Sequence, residues 1–214
     1  MSPIETTNFD EIAERYRNGD NLKGLKRKRL FVLLLGPSGV GKSTIIREIN
    51  NQTGNRYPYI SPFTTRALRS GETEKTSVSE GEFDSLAQKG AFVLINELYG
   101  VRYGTPLQSI INAFSLTQNP ILDFPLEKVQ LLHRKEFDLL NIYVFPPSIT
   151  EWRSRLDKEG RNTSNRFESG IVELTMLAEL TKPHQDIHYS VVSRSGDIPE
   201  IARSIDLLIS SIPE

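Results

Sequence analysis

Apolar residues occur along this chain in short continuous runs that alternate with longer segments at helical spacing. Continuous runs such as residues 30–35 predict strands that are buried on both faces of a parallel sheet. Apolar residues three and four positions apart predict amphipathic helices that cover such a sheet. Because the two patterns alternate along the chain, the sequence predicts an α/β fold with a central parallel sheet and right-handed crossovers.

The pattern also gives approximate bounds for each element. The predicted strands are residues 30–35, 91–98, a short run that ends at 123, 141–144 and 188–193. The predicted helices are residues 9–17, a segment after 42, 79–90, 106–114, 126–132, a segment that follows Ser148, a long segment that begins at Arg166, and 199–212. Polar, glycine-containing stretches predict a loop at 51–57 and a turn at 99–105.

A phosphate-binding pattern follows the first long apolar run. Gly36, Gly41, Lys42 and Ser43 fit G-x-x-x-x-G-K-[ST], between a predicted strand and a predicted helix. A loop without bulky side chains can turn its backbone N–H groups toward phosphate oxygens, and the positive end of the helix dipole points to the same place. A chance glycine turn is the alternative, and the flanking strand and helix argue against it. The sequence therefore predicts a nucleoside triphosphate site.

Each residue type in this loop has a chemical task. Lys42 is expected to reach the β- and γ-phosphates, and the Ser43 hydroxyl is expected to bind Mg²⁺. Thr44 is available to a phosphate but is less constrained by the pattern. The residues that we expect to bind ATP are Gly36, Ser38, Gly39, Gly41, Lys42, Ser43 and Thr44.

Composition narrows the class of protein. The 214 residues suit one domain, 37% of them are hydrophobic and 25% are charged. The formal net charge of −1 gives no reason to expect nucleic acid or an acidic membrane as a partner. The chain has no cysteine, which excludes disulfides, thiolate zinc sites and cysteine nucleophiles. No apolar run approaches the ~20 residues of a membrane span, so we predict a cytoplasmic protein without membrane contact.

Two further features are compatible with phosphate chemistry. Arg66 and Arg69 precede a predicted turn, where two guanidinium groups can hold a phosphate, although a pair of surface charges would give the same pattern. Asp123 ends a predicted parallel strand, where a carboxylate faces the ligand crevice and can bind Mg²⁺. A helix cap is an equally good interpretation of Asp123 on position alone.

Two segments lie outside the predicted strands and helices of the core. Residues 1–29 precede the first core strand, and their role is not fixed by the pattern. Their basic cluster at 23–29 is expected to be a solvated linker rather than a nucleic-acid contact. Residues 157–165 are polar and contain glycine, which predicts a mobile lid.

Six segments occur in an order that resembles the guanylate kinase family: GPSGVGKST, TTRALRSGE, SEGEF, YGVRYGT, ILDF and VFPPSITEWRSRL. The resemblance covers roughly residues 30–212. It implies a P-loop NTPase three-layer fold over residues 30–214, with an N-terminal extension at 1–29. Within it are expected a small acceptor-binding subdomain at about 60–107 and a short lid at about 155–168. Members of the family move the γ-phosphoryl group of ATP to GMP with Mg²⁺.

The resemblance also implies roles for individual residues. Lys42 and Ser43 would hold the donor phosphates and the metal, and Asp123 matches the metal-side aspartate. Arg155 and Arg166 match lid arginines that close on the migrating group. The acceptor would contact Arg66, Arg69, Tyr103 and Thr105, with Glu72 supporting the arginine pair. The residues expected to be catalytic are Lys42, Arg66, Arg155 and Arg166.

The sequence departs from the family where guanine is read. A glutamate that accepts from guanine is replaced by Leu94, and a second carboxylate is replaced by Pro125. Each buried donor left unpaired costs about 1–3 kcal/mol, so discrimination for guanine should fall by orders of magnitude. Glu97 would compensate only if the strand register differs from this alignment.

Smaller departures affect the acceptor loop and the lid. A family serine is Pro62, and the loop between Glu72 and Val78 is shorter and lacks a tyrosine. The lid between Gly160 and Arg166 is abbreviated. These changes leave the expected phosphate machinery in place.

Three hypotheses remain open at this point. The first is an active phosphotransferase, with GMP as the family default and another nucleoside monophosphate, or a sugar phosphate such as ribose 1,5-bisphosphate, as alternatives. The second is a non-catalytic binding module of the guanylate-kinase-like type, and the third is a regulatory ATP-binding protein. The intact P-loop favours the first, and the sequence does not fix the oligomeric state.

Overall fold

The computed structural model describes residues 3–17, 19–68, 75–98, 100–132, 136–158 and 164–214. In chain order its strands are β1 (Leu30–Leu35), β2 (Phe63–Thr64), β3 (Thr76–Ser77), β4 (Phe92–Leu98), β5 (Val101–Pro106), β6 (Ile121–Asp123), β7 (Asp138–Phe145) and β8 (Tyr189–Val192). Its α-helices are α1 (Phe9–Glu14), α2 (Lys42–Thr53), α3 (Glu80–Gln88), α4 (Leu107–Ser115), α5 (Ile149–Lys158), α6 (Ser164–Glu179) and α7 (Ile198–Ser211). Short 3₁₀ helices lie at Pro3–Thr6, Gly19–Leu22, Arg27–Arg29 and Leu126–Leu132.

A parallel sheet forms the centre of the molecule. Its strand order is β6-β1-β7-β8, and every residue of β1 is buried. Helices α2 and α7 pack against each other beside it. The continuous apolar run therefore behaves as expected of a strand covered on both faces, and the predicted α/β class is confirmed.

A second sheet has the strand order β3-β2-β5-β4, and α3 packs on β4. We predicted a turn over 99–105, and for most of that stretch this was wrong. Residues 101–106 form β5, which pairs antiparallel with both β2 and β4. Gly100, with φ of 73°, lies in the turn that joins β4 to β5. Cross-strand pairing on two sides outweighs the turn propensity of the glycines.

The N-terminal helix covers the edge strand of the central sheet. Phe9 and Tyr16 are buried against the ring of Phe145, and the Ser190 hydroxyl donates to the Ala13 carbonyl at 2.8 Å. The Asn8 side chain caps α1 by accepting from the Asp10 amide, and the helix ends at Glu14 rather than at the predicted 17. The extension thus has the structural task of shielding β8 from solvent and from other strands.

The basic cluster that follows is exposed but anchored. The Lys26 amide donates to the Asp138 carboxylate at 2.7 Å, Arg27 pairs with Glu214, and Arg29 donates to the Glu136 carbonyl at 3.2 Å. These bonds fix the entry into β1, and the exposure of most of the cluster agrees with the predicted solvated segment.

Several boundaries differ from the predicted ones. Strand β7 is longer than the predicted 141–144, and α6 begins at Ser164 rather than at Arg166. Within the predicted lid, residues 155–158 belong to α5 and 164–168 to α6, while 159–163 lie outside the described residues. Among the helices of the described ranges, none combines the length and apolar character needed to cross a bilayer.

Candidate active site

The loop between β1 and α2 has the backbone geometry of a phosphate cradle. Gly36, Gly39 and Gly41 have φ of 123°, 81° and 104°, which L-residues rarely adopt. A Cβ atom at Gly36 would lie 2.6 Å from the Val144 carbonyl oxygen, so β7 leaves no room for a side chain. Gly41 is the N-cap of α2, and the amides of its first turn open into the loop.

The Lys42 ammonium group lies within this loop. Nζ donates to the Gly36 carbonyl at 2.6 Å and to the Pro37 carbonyl at 2.8 Å. Ser43 and Thr44 are exposed on the first turn of α2 and line the same cleft. The predicted donor residues are therefore brought together at one point, with a cation at its centre.

Helix α5 supports the loop from the side away from the cleft. Trp152, fully buried, donates from Nε1 to the Ser38 carbonyl at 2.8 Å and stacks on Phe167 of α6 at 4.9 Å between ring centroids. The loop is thus tied to both α5 and α6. Ser148 caps α5 by accepting from the Glu151 amide at 3.1 Å.

Arg155 has a different position from the one expected of a lid arginine. Its guanidinium donates to Glu151 at 2.5 Å and to the Ser193 carbonyl at 2.8 Å, and it does not line the cleft. These bonds join α5 to the residue after β8. The catalytic role of Arg155 stays a prediction, while Arg166 of α6 lies on the cleft wall.

Asp123 faces the cleft from the end of β6, beside Leu34 of β1. Its Oδ1 accepts a hydrogen bond from the Tyr59 hydroxyl at 2.5 Å. Tyr59 was not identified from the sequence, because its position depends on pairing between residue 59 and β6. The helix-cap interpretation does not apply, since the side chain is held at the carboxyl end of the sheet.

A single cleft of about 1160 Å³ connects the loop with the second sheet. The predicted site residues on its wall are Gly36, Ser38, Gly39, Gly41, Lys42, Ser43, Thr44, Arg66, Tyr103, Thr105, Asp123 and Arg166. Arg69 and Glu72 lie outside the described residues, so their predicted roles stay predictions.

The wall of the cleft formed by the second sheet contains residues that were not identified from the sequence. Lys75 and Asn96 line it together with Arg66 and Tyr103. Lys75 directly precedes β3, and Asn96 pairs with Tyr103 across β4 and β5. The alternation of β4 was the available signal for Asn96, whereas Lys75 lies in a polar loop that has no periodicity.

Leu94 and Glu97, the two residues of β4 considered for base recognition, lie on different faces of the strand. Leu94 lies opposite Thr105, is partly buried against the core and does not line the cleft. Glu97 is exposed on the other face of β4, so the suggestion that it replaces the lost carboxylate is wrong in this register. Pro62 and Pro125 line the cleft, and neither brings a side-chain hydrogen-bonding group.

The buried Tyr143 and the partly buried Glu173 form a further polar pair at the wall of the cleft. The Tyr143 hydroxyl donates to Oε1 of Glu173 at 2.5 Å. Burial raises the pKa of both groups, and for Glu173 the bond from Tyr143 and the charge of Lys42 oppose that increase. Glu173 also lines the cleft. Its charge therefore contributes to the field around the Lys42 ammonium group.

Comparisons with known proteins agree with this geometry. The sequence model described as guanylate kinase matches residues 27–211. The crystal structure of guanylate kinase from Anaplasma phagocytophilum is similar with a TM-score of 0.65, 22% identity and 87% of each chain covered. At that identity the likeness shows the shared fold. A shikimate kinase from Acinetobacter baumannii matches with a TM-score of 0.43 and 16% identity, over 91% of this chain and 98% of that one.

Proposed function

Because the chain belongs to the guanylate kinase family, we propose that it transfers the γ-phosphoryl group of ATP to a phosphorylated acceptor. Family membership supports a phosphotransferase of the nucleoside monophosphate kinase type. GMP is the family's usual acceptor, and other nucleoside monophosphates and sugar phosphates are the alternatives. One observation carries the proposal: a single cleft holds the glycine loop with Lys42 on one wall and the cations Arg66 and Lys75 on another.

Such a transfer needs alignment and charge neutralisation rather than a covalent intermediate. An oxygen of the acceptor phosphate attacks the γ-phosphorus, the bond to the bridging oxygen breaks, and ADP leaves. The loop amides and Lys42 would hold the donor phosphates on one side of this reaction. Arg66, Lys75 and Tyr103 would hold the acceptor phosphate, and Arg166 would neutralise charge between the two.

The donor set of the cleft fits Mg²⁺. Ser43 offers a hydroxyl oxygen and Asp123 a carboxylate oxygen, which are the ligand types that this hard cation prefers. Tyr59 orients the carboxylate through its 2.5 Å bond to Oδ1. When bound, the metal would add positive charge next to the β- and γ-phosphates.

The test is an ADP-release assay with Mg-ATP and a panel of GMP, dGMP, AMP, CMP, UMP and ribose 1,5-bisphosphate. The Lys42→Ala protein, purified in the same way, is the blank that reveals contaminating kinases. We expect ADP formation that requires both an acceptor and Lys42, with products identified by chromatography. ATP binding is measured separately by calorimetry.

One result would contradict the proposal. If ATP binds but no acceptor raises ADP formation above the blank, the chain is a binding module or a regulatory ATP-binding protein. No feature of the described cleft favours either of those functions, since the P-loop and Asp123 are both retained.

A further inference from the structure

Strand β4 presents one face to the cleft and the other to solvent. Asn96 and Leu98 line the cleft, whereas the intervening Glu97 and the preceding Ile95 are exposed on the opposite face. Alternation along a strand places every second side chain on the same side. The amide of Asn96 is therefore the hydrogen-bonding group that this strand offers to a bound acceptor.

The neighbours of Asn96 place it next to the acceptor phosphate. It lies directly opposite Tyr103 on β5, and residues in such pairs have Cβ atoms about 4.5–5.5 Å apart. Thr105 lies diagonally across on the same strand pair and also lines the cleft. Asn96 is half-buried, and its side chain makes no hydrogen bond to another described residue. The amide can thus serve the part of an acceptor that extends beyond its phosphate.

The electrostatic character of this wall is neutral to positive. The cleft-lining residues described between 62 and 105 are Pro62, Arg66, Lys75, Asn96, Leu98, Tyr103 and Thr105. The carboxylates that line the cleft lie outside this wall, at Asp123, Glu127, Glu173 and Asp186. Asp123 accepts from Tyr59, and Glu127 interacts electrostatically with Glu173 and Tyr143 on the α6 side. An acceptor base against β4 therefore meets an amide rather than an anion.

On the basis of the proposed function, we infer that Asn96 reads the base of a nucleoside monophosphate acceptor and favours adenine over guanine. One amide offers an adjacent donor and acceptor, and it pairs well with an adjacent acceptor and donor on a base. The N1 and N6 groups of adenine are such a pair. Guanine carries O6, N1–H and N2–H in a row, so a single amide leaves one N–H group without a partner.

The experiment compares wild type with Asn96→Ala and Asn96→Asp, using AMP, GMP, CMP, UMP and ribose 5-phosphate. Wild type is expected to have a higher kcat/KM with AMP than with GMP. Asn96→Ala should lower kcat/KM for AMP about 10- to 100-fold and leave that for ribose 5-phosphate, which has no base, within about twofold. Asn96→Asp supplies two acceptor oxygens and should move the AMP-to-GMP ratio at least tenfold toward GMP. Glu97→Gln, on the opposite face of β4, is the matched control and should leave the ratio unchanged.

Equilibrium binding keeps this inference separate from the proposed function. Calorimetry with a non-hydrolysable ATP analogue present measures the affinity for AMP and GMP whether or not transfer occurs. A wild type that binds AMP more tightly than GMP, with the difference removed by Asn96→Ala, supports the inference even for an inactive protein. Equal affinities in wild type and Asn96→Ala, a wild-type preference for GMP over AMP, or a preference that depends on Glu127 instead, would overturn it.

Discussion

The two walls of the cleft are built in different ways. The donor wall, as we propose it, is a continuous segment of β1, the glycine loop and α2 that offers mainly backbone amides and one lysine. The proposed acceptor wall is assembled from side chains on β4, β5 and the segments around β2 and β3. Backbone groups are the same whatever the sequence, whereas side chains differ at each position. The acceptor wall can therefore change its ligand while the donor wall and the fold stay as they are.

The two walls also differ in how closely each is packed against the main hydrophobic core. The glycine loop is pressed against β7 and is tied to the fully buried Trp152, so its shape depends on the main core. The acceptor sheet has a smaller core of its own, centred on Phe83, with Arg102 over its ring at 4.3 Å. A substitution on the acceptor wall should therefore change specificity with less effect on the fold than a substitution in the loop.

The largest effect is expected from Lys42→Ala on the donor wall. Removal of the cation from the loop should lower kcat about 100- to 1000-fold for every acceptor. Circular dichroism should show an unchanged fold, and the exposed Lys182→Ala is the control for loss of a lysine. A variant that loses activity toward one acceptor but keeps it toward another would mean that the two walls are not separate in function.

Lys75→Ala tests the acceptor wall. A charge-assisted contact to phosphate is worth about 1.5–3 kcal/mol, so we expect KM for the acceptor to rise roughly 10- to 100-fold. The affinity for ATP, measured by calorimetry, should stay within about twofold. The exposed Lys89→Ala, next to α3, is the matched control. An equal loss of ATP affinity would place Lys75 on the donor side and contradict this division of the cleft.

Trp152→Phe tests how far the donor wall depends on the core. The variant keeps an aromatic ring against Phe167 but removes the indole N–H that donates to the Ser38 carbonyl. We expect a loss of about 1–2 kcal/mol in stability, seen as a decrease in Tm of about 3–8 °C. ATP affinity should fall a few-fold while acceptor affinity in the same assay stays unchanged. An unaltered affinity for ATP would show that the loop holds its shape without this bond.

The smallest effect is expected from the pH dependence of stability due to Glu173, whose partly buried carboxyl group lines the cleft. The pKa of Glu173 is raised above 4.5 in the folded protein, mainly by burial. Between 4.5 and this raised value the folded state binds more protons than the unfolded state, so Glu173 lowers stability as the pH rises. Glu173→Gln keeps an oxygen that can accept from Tyr143 and has no charge to bury. Its Tm relative to wild type should therefore increase from pH 4.5 to pH 7.5, and a constant difference would contradict the assigned burial effect.

Much of the fold followed from local patterns. The continuous apolar run at 30–35 identified the buried strand β1, and helical spacing after residue 42 identified α2, whose buried residues are Ile45, Ile46 and Ile49. The helix predicted at 79–90 is α3, where both hydrogen bonds of a capping box between Ser79 and Glu82 are present. The prediction failed for β5, because glycines suggested a turn where pairing with two neighbouring strands decides the conformation.

The residues of the candidate site also fall into those that local sequence patterns identified and those whose positions depend on tertiary structure. Donor residues could be named from the sequence because nine consecutive positions, 36–44, contain them all. Lys75 and Tyr59 could not, because their positions follow from β-pairing with distant segments, whereas the alternation of β4 was a local signal for Asn96. Arg155 was identified with a lid, and the structure shows its guanidinium bound to the residue that follows β8.

The sequence by itself determined the α/β class and the place of the P-loop between β1 and α2, since each depends on interactions within a few residues. Only the tertiary structure decided which side chains of β4 face the cleft, that Glu97 faces away, and that α1 covers the edge of β8. These features depend on strand register and on packing between segments up to 177 residues apart. A shift of register by one residue would exchange Asn96 for Glu97 at the cleft, so the side chains that β4 offers to the proposed acceptor depend on pairing that no local pattern encodes.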